Sequence, residues 1–105
     1  MPENKKHIIS LIKKNVSEVD PEADIVLFGS RARGNEAEDS DWDLLILTDY
    51  PVSFQVEQQF RHHLFDLELK LGEAFSTFVY SKSDWESKHS VTPLYQNISL
   101  EGIRI

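Results

Sequence analysis

Gly29-Ser30-Arg31-Ala32-Arg33-Gly34 and, a few residues on, Ser40-Asp41-Trp42-Asp43-Leu44-Leu45-Ile46-Leu47 decide the reading of this chain. The first stretch is a glycine-flanked turn rich in donors for an anion. Gly29 lets the backbone bend sharply and lets a ligand come close. Ser30 offers a hydroxyl and is expected to cap a short helix running to about Asn35, whose first N–H groups have no partner. The second stretch sets two carboxylates one residue apart at the head of an apolar strand. Alternate residues of a strand point the same way, so Asp41 and Asp43 can face one ion while Trp42 packs behind them. Mg²⁺ is usually held by one or two carboxylates together with substrate phosphate oxygens. Either half alone reads as a plain turn or a solvated strand entry. Together they point to phosphoryl-group chemistry.

Working outward, residues 3 to 19 form a helix whose stripe is Ile8, Ile9, Ile12, Val16 and Val19, with Lys5, Lys6, Lys13 and Lys14 on a solvated face. Ile25 to Phe28 is a buried strand closed by Gly29. Glu36 to Ser40 is a polar loop, and Trp42 to Thr48 a second strand. Ser53 caps a long helix that ends near Gly72. Phe75 to Tyr80 is a third strand. A short helix opens at Ser83, a last one spans Pro93 to Glu101, and residues 102 to 105 form a tail. The fold class expected is α/β of the α+β type: one domain over residues 1–105, a small mixed β-sheet packed with helices in the order α-β-α-β-α-β-α.

Eighteen acidic residues against eleven basic give a net charge of −7, which argues against a nucleic-acid surface. It leaves room for a nucleotide, because a metal and a few local arginines can hold a triphosphate on an acidic protein. Glu36, Glu38, Asp39, Asp41 and Asp43 crowd the motif, and such a cluster repels itself and invites a cation. Cysteine is absent, excluding disulfides and thiolate metal sites. No apolar run approaches the length of a membrane span, and the N-terminus lacks a signal-peptide core. A cytoplasmic protein is expected.

The two quoted stretches resemble the signature of the DNA polymerase beta-like nucleotidyltransferases, most closely the minimal nucleotidyltransferases. The later segments Tyr80 to Glu86, Pro93 to Ile98 and Glu101-Gly102-Ile103 resemble a bacterial subgroup. The resemblance implies transfer of a nucleoside monophosphate from an NTP, ATP above all, to a hydroxyl acceptor, including one on a partner protein. It implies Gly29, Ser30 and Arg33 at the phosphates, and Asp41 and Asp43 as catalytic ligands of Mg²⁺ or Mn²⁺. It also implies a helical HEPN-type partner in a toxin–antitoxin module.

One departure stands out. The family usually carries a third acid on the third strand, and counting back from Tyr80 puts that position at Ser76. Serine cannot replace a carboxylate as base or charged ligand. Glu73 has the wrong strand parity, and Glu68 lies on the preceding helix. An alternative function is therefore a catalytically weak nucleotide-binding or antitoxin-like module. His62 and His63, adjacent on one helix, cannot share an ion. They read as surface residues, as does Lys82. His89 reads as structural or exposed, and Trp85, Tyr80 and Tyr95 as packing for the C-terminal elements.

Overall fold

A computed structural model describes residues 3–105. The first two residues of the expected domain lie outside it. The apolar stripe read from the sequence builds α1 (Glu3–Val19), followed by β1 (Asp24–Phe28), the four-residue α2 (Ser30–Arg33) and β2 (Trp42–Thr48). Next come α3 (Phe54–Leu71), β3 (Phe75–Ser81), α4 (Lys82–Ser87), α5 (Pro93–Glu101) and β4 (Ile103–Arg104). The Ser53 side chain accepts the Val56 N–H at the start of α3, and Gly72 closes its end. Both limits are those the turn residues predict.

The strands lie in the order β3-β2-β1-β4. β1 runs antiparallel to β2 and to β4, while β2 and β3 are parallel. A parallel pair needs a long crossover, and α3 supplies it. On one face Leu27, Trp42, Leu44, Ile46 and Val79 pack against Ile8, Ile12 and Val16 of α1 and Phe60 and Leu64 of α3. On the other, Phe28 and Leu45 pack with Trp85 of α4 and Ile98 of α5. Trp85 lies 5.8 Å from the Tyr80 ring and 5.1 Å from that of Tyr95, so the aromatic residues pack as expected. Burial on both faces is why β2 reads as a continuous apolar run rather than an alternating one. No helix among the described residues is long and apolar enough to cross a membrane.

Three expectations are corrected. The tail is not a tail: Ile103 and Arg104 pair with Leu27 and Val26 as a fourth, edge strand. Gly102 allows this approach, because a Cβ there would meet the Ile98 carbonyl oxygen at 2.5 Å and Val26 Cγ1 at 2.7 Å. Gly29, not Ser30, occupies the cap position of α2. Lys5 is not a solvated side chain. It donates to the Arg31 carbonyl and pairs with Glu36 at 3.4 Å.

Candidate functional site

Antiparallel pairing sets Phe28 opposite Asp43, so the chain leaves β1 at Gly29 directly beside the acid. Gly29 has φ 74° and ψ −159°, a region essentially reserved for glycine. A Cβ on it would lie 2.1 Å from Asp43 Oδ2. The two halves of the motif are thus pressed into one site, and glycine is required there both by conformation and by space.

Asp43 is half-buried. Burial holds its carboxyl above the usual carboxylate range. The negative charges of Asp41 and Glu101 push the same way, and Arg33 opposes them. Asp41 is exposed just ahead of β2, close enough to act on Asp43 through its charge. Trp42 is buried among α1 and α3 on the reverse face, as strand parity requires.

Ser76 is the registered partner of Asp43 across the parallel β2–β3 pair, and so lies beside it on the same face. The other two acids are engaged elsewhere. Glu73 accepts from Arg31 at 3.5 Å and from the Trp42 indole at 3.4 Å, behind the sheet. Glu68 accepts the Phe75 N–H at 2.7 Å.

The two arginines have separated. Arg31 is buried and donates to the carbonyl oxygens of Ser40, at 2.8 Å, and Glu38, at 3.3 Å. Its guanidinium lies 4.7 Å from the Trp42 ring centre. It fastens the loop that delivers Asp41, and its Nε–Nη2 fork is occupied by that loop and Glu73. Arg33 is exposed on the site side, where it grips both oxygens of Glu101 at 3.1 and 2.9 Å. Glu101 also accepts the Gly29 N–H at 3.3 Å. Sequence reasoning missed Glu101 as a site residue. Its signal was the Glu101-Gly102-Ile103 segment of the subgroup resemblance, far along the chain from Arg33 and without an assigned role.

The remaining candidates lie apart. Lys82, at the opposite end of the sheet, is held by Asp49 at 2.7 Å and Asp24 at 3.3 Å. His63 bonds the Gln59 carbonyl oxygen one turn back, and His89 packs 4.2 Å from the Tyr80 ring. Among the described residues no three His, Cys, Asp or Glu side chains gather as a ligand set. Two mutually repelling carboxylates, one exposed and one beside a glycine turn, suit an ion that draws its other oxygens from substrate and water.

Residues 9–91 match the family described as a nucleotidyltransferase domain, and the chain belongs to that family. Among solved structures it is similar to a toxin–antitoxin crystal structure with AMP-PNP (TM-score 0.62, 22% identity, 96% of this chain and 71% of that one). It is also similar to a point mutant of the toxin–antitoxin MntA-HpeT (TM-score 0.59, 24% identity, 100% and 72%). A Sulfolobus solfataricus protein provisionally assigned as a nucleotidyltransferase matches too (TM-score 0.55, 20% identity, 80% and 76%). At these identities the likeness shows the fold. None of the curated proteins matches.

Proposed function

We propose that this protein is a metal-dependent nucleotidyltransferase that moves a nucleoside monophosphate from an NTP, preferably ATP, to a hydroxyl acceptor. The observation that carries the reading is the packing of Gly29 against Asp43, which joins the anion-accepting turn to the coupled Asp pair. Gly29 and Ser30 receive the phosphates through the backbone and hydroxyl, and Arg33 supplies the cationic fork. Asp41 and Asp43 hold Mg²⁺ or Mn²⁺, which when bound neutralises charge on the phosphate oxygens. The acceptor oxygen bonds to the α-phosphorus as the bond to the pyrophosphate oxygen breaks, and the hydroxyl proton passes to a base. The likeness to toxin–antitoxin structures supports a protein partner. The helical HEPN-type partner as acceptor follows from the family resemblance of the motif.

Ser76 beside Asp43 favours a second reading, a nucleotide-binding module with weak turnover. With Glu73 and Glu68 engaged elsewhere, the acceptor proton lacks its usual carboxylate. Incubation with labelled NTPs, Mg²⁺ or Mn²⁺ and cell lysate separates the two. A labelled protein or small-molecule product supports the transferase. Tight nucleotide binding without product supports the module.

A further inference from the structure

Glu101 ties down the donors that the proposed function assigns to phosphate. One carboxylate accepts from the Gly29 N–H at 3.3 Å and from Arg33 at 2.9 and 3.1 Å. A carboxylate and a phosphate present an arginine fork with the same pair of acceptor oxygens. Glu101 also stands near enough to Asp43 to oppose its ionisation. It therefore adds negative charge where the site already carries an excess. Such an arrangement suits an anion that occupies the place of another.

We infer that Glu101 is an internal stand-in for phosphate: it fills the turn's anion position in the nucleotide-free protein and is displaced by the incoming polyphosphate. This rests on the nucleotide reading of the turn. The displacement is a side-chain swing and not a movement of the segment. The backbone around Glu101 is pinned, since Gly102 donates its N–H to the Ile98 carbonyl oxygen and β4 is paired to β1. The Glu101 side chain itself is a quarter exposed, with open solvent to move into. Apparent affinity for polyphosphate is then reduced by the fraction of molecules in which the stand-in is seated. When it leaves, Arg33 is already extended toward the turn.

The test uses inorganic tripolyphosphate and ATP, each with Mg²⁺, on wild type and Glu101→Gln. The amide keeps the side chain's length and removes its charge. Calorimetry should show both probes binding the variant roughly three- to fivefold more tightly, the size expected on breaking a partly exposed ion pair. In wild type, the Glu101 side-chain carboxyl carbon and the Gly29 amide should shift together in NMR as tripolyphosphate is added. This second measurement needs no variant. Equal or weaker binding by a folded Glu101→Gln protein, or a Gly29 shift with Glu101 unmoved, overturns the inference alone. Absence of binding by both proteins overturns the nucleotide reading and this inference with it.

Discussion

Asp43 and Ser76 stand side by side on β2 and β3, in register and on one face of the sheet. A carboxylate beside Asp43 would complete a triad of acids. A serine leaves a polar gap there. Ser76→Asp should therefore increase transfer to a suitable acceptor at saturating nucleotide by about a hundredfold, the lower end of what a positioned base contributes. It should also lower the melting temperature of the metal-free protein, because it adds a like charge next to Asp43. Unchanged turnover, followed with labelled NTP, would remove Ser76 from this position.

Gly29→Ala meets two penalties at once. The backbone angles cost about 1–3 kcal/mol for a residue with a side chain, and the new Cβ collides with Asp43. Gly34→Ala is the matched control. It too has a positive φ but open space around the Cβ, so it should cost only about 1–2 kcal/mol. Urea denaturation of both should rank Gly29→Ala as the worse, and only that variant should lose nucleotide binding.

Asp43→Asn should separate stability from binding. Burial and the charges of Asp41 and Glu101 disfavour the ionised Asp43 carboxylate. Neutralising it should raise the melting temperature of the metal-free protein. In calorimetry the same variant should lose its Mg²⁺-dependent affinity for ATP. A stabilised variant that binds ATP–Mg²⁺ as tightly as wild type would dismiss Asp43 as a metal ligand.

Asp24 provides the acid sensitivity. Burial pulls its carboxyl up, but hydrogen bonds from Arg104, at 2.6 Å, and Lys82 outweigh it and hold it below the usual range. The folded value lies under the unfolded one, near 3.9. The stabilisation is thus complete above about pH 5 and is lost as pH falls through the folded value. Asp24→Asn should cost about 1 kcal/mol or less near neutral pH. The difference from wild type should shrink toward zero in denaturation curves taken at increasingly acid pH. A constant difference would assign the effect to packing instead.

Local rules made much of this molecule legible. Strand parity separated Trp42 from Asp43, and the caps at Ser53 and Gly72 bounded α3. Ser76 came from the family resemblance, by counting back from Tyr80 to its third-acid position, and the register sets it beside Asp43. Contacts between distant parts of the chain were not legible. The Arg33–Glu101 pair spans 68 positions. Nothing in the alternation or spacing around either residue predicts that meeting. The β4 strand has two residues, too few to show a period. Only the family resemblance preferred Arg33 to Arg31 on paper, and the clamp role of Arg31 came from its surroundings, Ser40, Trp42 and Glu73.

The clamp has a consequence for anyone wishing to borrow the chemistry. A peptide running from Gly29 to Leu47 carries the whole signature, yet Lys5 and Glu73, which hold Arg31 from either side, come from outside it. Transplanted into a foreign loop, the same letters would lack the brace that aims Asp41, and the turn would lose the β1–β2 ladder that seats Gly29 on Asp43. The smallest portable unit of this site is therefore close to the entire chain, and a designer gains more by altering single positions within it than by excising the motif.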